Sequence, residues 1–175
     1  MANTYELIEA QTLSTTAASV TLGSGGTIPQ TYTDLKVVFS VRCDQAVVSN
    51  SLGINFNSSS TGYYYKSVYG TGTAVGNDQS SNYSKAYCGD YVGTSATSNT
   101  FSNIEIYIPN YAGANSKSFS CDSVSENNAA AARANLIAGL WDNSAAITSL
   151  VIAPFSGTGN FVQYSTFYLY GIKNS

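Results

Sequence analysis

Apolar and polar positions alternate with a period of two along most of this chain, which is the signature of strands with one packed and one wet face. The clearest case covers 33–44. Leu35, Val37, Phe39 and Val41 share one side, and Lys36, Val38, Ser40 and Arg42 share the other. Leu52, Ile54 and Phe56 repeat the pattern over 52–57. Ile104, Ile106 and Ile108 carry it over 100–109, with Phe101 before them and Pro109 as the stop. Phe119, Cys121 and Ser123 point inward on a returning strand over 117–125. Shorter strands are predicted over 5–12, 17–22 and 146–154. Clusters of Gly, Ser, Asn and Pro, such as 23–30, 58–62 and 155–160, supply the joints.

The final stretch, 162–172, differs. Phe167 and Leu169 go to one face, while Tyr168, Tyr170 and Ile172 go to the other, after a wetter start at Gln163 and Ser165. A strand apolar on both faces belongs in the middle of a sheet, or has one face in the core and one against another molecule. Two further stretches are ambiguous. Residues 127–141 carry a helical stripe (Arg133, Leu136, Ile137, Leu140, Trp141), but Gly139 costs a helix about 1 kcal/mol, and a strand making a hairpin with 146–154 is favoured. Residues 63–70 and 83–92 are aromatic strands separated by a Gly-, Ser- and Asn-rich stretch, 71–82, which reads as a long surface loop. The expected fold is all-β: an antiparallel, jelly-roll-like β-sandwich of eight to ten strands in one domain, 1–175.

Composition narrows what such a sandwich does. Apolar residues make up 43% of the 175, enough for a core, and charged residues only 10%, against roughly 25% in ordinary globular domains. The seven basic residues are scattered and the net charge is −3, so no patch exists to neutralise a nucleic-acid backbone. No apolar run approaches the ~20 residues of a membrane helix. The N-terminus lacks the charged start and apolar stretch of an export signal, so synthesis in a cytoplasm is expected. The chain has no histidine, which excludes Ser-His-Asp and Cys-His nucleophilic arrangements. Its ten acidic residues fall mostly in turns and at strand ends. No enzyme, metal or cofactor role is expected. Cys43, Cys88 and Cys121 have no disulfide or zinc spacing and read as small buried hydrophobes, with a Cys43–Cys121 pair left open.

Tyrosine is the unusual feature. Fourteen are present, and Tyr63, Tyr64, Tyr65, Tyr69, Tyr83, Tyr87 and Tyr91 crowd one third of the chain. Tyrosine suits a protein interface, a sugar-binding platform and a core alike. Tyr63, Tyr64, Tyr65, Tyr69, Tyr87, Tyr91, Tyr168 and Tyr170 are the candidate interface residues.

The runs Ile104-Glu105-Ile106-Tyr107-Ile108-Pro109-Asn110-Tyr111-Ala112-Gly113, Gly139-Leu140-Trp141, Ala145-Ala146-Ile147-Thr148-Ser149-Leu150, Asn160-Phe161 and Ser165-Thr166-Phe167-Tyr168-Leu169-Tyr170-Gly171-Ile172 occur in this order. Tyr5-Glu6-Leu7-Ile8 and Ile28-Pro29-Gln30-Thr31-Tyr32-Thr33-Asp34-Leu35 precede them. Together they resemble a group of small virion proteins of tailed bacteriophages, marine ones especially, over most of the chain except 47–99. These motifs are strand cores and turns, with no active site to carry over. The resemblance implies a homo-oligomeric, trimeric head decoration (cement) protein bound to the major capsid protein at the particle surface. The runner-up is a tail-fibre or carbohydrate-binding module working through a tyrosine-rich surface.

Overall fold

The structure, a computed structural model, describes residues 4–23, 25–125 and 132–173. Among these, twelve strands and no helix are present. In chain order they are β1 (Tyr5–Thr12), β2 (Val20–Leu22), β3 (Asp34–Val41), β4 (Ser49–Phe56), β5 (Tyr63–Gly70), β6 (Val75–Tyr83), β7 (Ala86–Val92), β8 (Ser102–Pro109), β9 (Lys117–Val124), β10 (Ala134–Trp141), β11 (Leu150–Pro154) and β12 (Thr166–Ile172). They form an eight-stranded sheet, β1-β12-β3-β8-β9-β10-β5-β6, and a four-stranded sheet, β2-β11-β4-β7. Every pairing between these strands is antiparallel. The molecule is a jelly-roll-like β-sandwich, as the alternation predicts, with more strands than the eight to ten expected.

The alternating apolar sets meet between the sheets. Leu35, Val37, Phe39 and Val41 of β3, Ile104, Ile106 and Ile108 of β8, and Leu52, Ile54 and Phe56 of β4 are all fully buried. Phe56, from the small sheet, meets Tyr63, Phe119 and Trp141 of the large sheet edge-on, at centroid distances of 5.9, 5.7 and 5.5 Å. Edge-on aromatic pairs add about 0.5–1.5 kcal/mol each beyond their buried area. β7 is buried along its whole length and packs beneath β8, β9, β10 and β5. Its backbone approaches β9 closely at Gly89, where a Cβ would stand 1.9 Å from Ser123 Oγ. The three cysteines are free and buried; Cys121 Sγ donates to the Cys88 carbonyl at 3.2 Å, and burial holds the Cys121 thiol well above the usual range.

The structure corrects the sequence reading in four places. Residues 71–82 are not a long loop: β6 begins at Val75 and pairs with β5 after a short turn in which the Thr71 N–H bonds the Ala74 carbonyl. The aromatic run 83–92 is broken, because β6 ends at Tyr83 and β7 starts only at Ala86. The last strand starts at Thr166 rather than Val162, since Tyr164 adopts a left-handed φ of 71° and the Ser165 N–H closes a turn onto the Val162 carbonyl. Residues 134–141 are a strand, β10, but not one arm of a hairpin with 146–154: β10 pairs with β5 and β9 in the large sheet, whereas β11 pairs with β2 and β4 in the small one, and 127–131 lie outside the described residues. Gly139, unfavourable to either reading, is needed here. The Phe119 ring lies across it, and a Cβ would come within 2.0 Å of that ring.

Candidate functional site

Strand register sorts the tyrosines. Tyr63 and Tyr65 occupy inward positions of β5 and are buried, as are Tyr87 and Tyr91 on β7. Four of the eight candidate interface residues are therefore core, and they are corrected as such: their rings fill the gap between the sheets. Tyr63 accepts the Phe56 N–H at 2.8 Å, and burial pushes its hydroxyl up to about 12. Tyr65 donates to Asp78 Oδ2 at 3.0 Å and Tyr87 to Asp90 Oδ2 at 3.3 Å; burial raises both. Tyr91 packs on Phe161 and is raised by burial in the same way. Tyr69 is half-buried at the rim, with the Arg133 guanidinium 4.7 Å from its ring centroid. Tyr64, Tyr168 and Tyr170 are the three that reach the outer face of the large sheet, all half-buried. They do not form one platform. Five strand steps separate β12 from β5, or about 24 Å at ~4.8 Å per step.

That outer face carries two apolar ends. At the β10–β5 end, Leu136 lies opposite Val68 and Leu140 opposite Tyr64. Leu136 is 56% and Val68 53% exposed. Val124 of β9, also exposed, continues the patch beside Ala134. At the β1–β12 end, exposed Leu7 lies opposite Tyr170, and the Tyr168 and Tyr170 rings stack at 6.4 Å. Between them runs a polar band in which Lys36 pairs with Glu105 at 2.5 Å and Tyr107 donates to Asp34 at 2.7 Å. Sequence reasoning missed Val68, Val124, Leu136 and Leu140. The signal was the second phase of the alternation in 134–141, which places Leu136, Ala138 and Leu140 opposite the buried Ile137 and Trp141.

A groove of about 650 Å³ opens on the β10–β5–β6 end of this face, lined by Tyr64, Lys66, Gln79, Ser80, Ser81 and Leu140, with others. Its shape comes from a register shift. Two residues of β6 oppose Tyr64 alone, because Tyr63 pairs with Tyr83 but Tyr65 with Ser80.

A polar cluster lies inside the sandwich. Asp90, 3% exposed, accepts from Ser51 at 2.9 Å, Tyr87 at 3.3 Å, Asn135 at 3.4 Å and Arg133 at 3.3 Å. With its carboxylate taken up by four partners, Asp90 serves to hold β4, β7 and β10 together at this point. Among the described residues no group of three His, Cys, Asp or Glu side chains is placed to hold a metal ion.

No protein-family model matches the chain, and no curated protein matches its sequence. Among solved structures, the crystal structure of galectin LEC-6 from Caenorhabditis elegans is similar at a TM-score of 0.37 and 9% identity, covering 91% of this chain and 94% of that one.

Proposed function

We propose that this β-sandwich is a structural component of a tailed-phage particle, a decoration protein that sits on the capsid surface as an oligomer, a trimer, against the major capsid protein. The observation that carries the reading is the outer face of the large sheet, where exposed Leu136 and Val68 face each other on neighbouring strands and exposed Leu7 faces half-buried Tyr170. Contiguous exposed apolar surface of this kind marks interaction sites. Packing it against a neighbour yields about 25 cal/mol per Å² without any catalytic group. The low charge of the chain keeps desolvation costs small at such a contact. The test is co-sedimentation of the purified protein with particles stripped of it. Leu136→Lys is expected to reduce binding about tenfold or more, with a melting point within about 2 °C of the parent, since the side chain is exposed. Undiminished binding by this variant would refute the reading.

The groove favours a second reading, saccharide binding. An aromatic ring beside hydroxyl and amide side chains in one open cleft is the arrangement that receives a sugar's apolar face and its hydroxyls. Binding of neutral and acidic oligosaccharides, and its loss in Tyr64→Ala, tests it.

A further inference from the structure

The chain has seven cationic side chains, and six of them have partners. Lys36 pairs with Glu105, Lys173 with Glu6 and Arg133 with Asp90. Arg42 donates to the Ala96, Thr97 and Thr100 carbonyls. Lys85 donates to the Pro154 carbonyl, and Lys117 to those of Asn115 and Asn143. Lys66 alone makes no hydrogen bond or ion pair among the described residues, and it stands in the groove. It lies between Ala138 of β10 and Gln79 of β6 in register, two positions along β5 from Tyr64, on the same face and the same open cleft. The nearest acid along the strand edge, Asp78, belongs to the opposite side of β6. It lies opposite the inward Ser67, accepts the Tyr65 hydroxyl and takes the Gln79 N–H at 2.7 Å. The carboxylate is thus engaged away from the cleft and does not neutralise the ammonium.

We infer that the groove takes a saccharide bearing a carboxylate, a uronic-acid type sugar, with Lys66 as the group that selects the acid. The inference rests on the second reading above. Tyr64 and Leu140 offer apolar area to the ring, Gln79, Ser80 and Ser81 offer donors and acceptors to hydroxyls, and the Lys66 ammonium pairs with the carboxylate. A single cation flanked by small hydroxyls fits one charge per sugar residue. An acidic peptide segment would seek a row of cations, which the scattered basic residues do not provide.

The experiment is calorimetric titration of the full chain with a galacturonate trisaccharide and with the neutral galactose trisaccharide of the same linkage. The acidic sugar is expected to bind saturably and about tenfold more tightly than the neutral one, with the difference shrinking as salt is raised. Lys66→Gln should bring the two sugars to equal affinity while leaving the neutral one unchanged. Tyr64→Ala should weaken both. Circular-dichroism melts check that both variants keep the fold, which their surface positions lead us to expect. Equal binding of the two sugars by the parent protein would overturn the selection of an acid while leaving the saccharide reading standing. Absence of binding by either would overturn both. A glutamate-rich peptide that competes with equal affinity, and depends equally on Lys66, would assign the groove to an acidic protein segment instead.

Discussion

The hydroxyls of Tyr63, Tyr65, Tyr87 and Tyr91 are all raised by burial, Tyr63 to about 12, against about 10 in an unfolded chain. An acid with a raised folded value holds its proton in the native state where the unfolded chain has lost it. Stability is therefore fully present below about pH 10 and is lost as pH rises through the folded value. The slope reaches about 1.4 kcal/mol per pH unit for each such tyrosine. Melts recorded from neutrality upward should be flat and then fall above about pH 10, and absorbance should show these phenols ionising only with unfolding. Arg42 gives a second test. Its buried guanidinium ties down three carbonyls of the 96–100 segment, so Arg42→Met should cost about 2–4 kcal/mol in urea unfolding, and Arg42→Lys should recover only part. Neither role was legible in the sequence. Tyrosine is equally at home in a core and at an interface, and only strand phase decides which. Within Tyr63-Tyr64-Tyr65 the alternation had to send one ring outward, but a run of identical residues conceals which one.

Elements were legible where burial differs between their two faces. β3, β8 and β9 alternate buried with more exposed positions along their lengths, so the period of two in their sequences marks the inward residues. β6 has the sequence of a loop because no residue along it is buried. It is held by its ladder to β5 and by the Tyr65–Asp78 bond, with apolar packing only at its last residue, where Tyr83 meets Tyr65 and Phe155, and such a strand leaves little hydrophobic signature. β10 was ambiguous for the opposite reason: its outward face carries Leu136 and Leu140, which complete a helical stripe as readily as a strand. The pairing of Gly139 with Phe119 makes a test at this scale. Gly139→Ala forces the ring to move and should cost about 1–3 kcal/mol. Combining it with Phe119→Leu should cost less than the sum of the two single changes, because the smaller side chain vacates the space the new Cβ needs. Additive costs in a double-mutant cycle would show that the ring does not depend on the glycine.

At the scale of the molecule, the two apolar ends of the large sheet are related by its twist. Adjacent strands rotate by about 20°, so the five steps from β12 to β5 turn the outer face through about 100°. Surface at the Leu7–Tyr170 end therefore points in a different direction from surface at the Leu136–Val68 end. Two unlike patches facing apart suit a head-to-tail contact that closes into a ring, as the proposed trimer requires, better than one patch meeting its own copy. Mixing tests this. Tyr168→Ser alters the first end, and because Tyr168 is half-buried, this should weaken assembly more than folding, by about 1 kcal/mol in the monomer. Leu136→Lys alters the second. In a head-to-tail ring each variant alone has every contact spoiled and sediments as a monomer. An equimolar mixture restores one intact contact, between the sound second end of the first variant and the sound first end of the other. The mixture should then show dimers that do not close into trimers. If one end met its own copy, mixing would create no species absent from the separate samples, and the ring would be excluded.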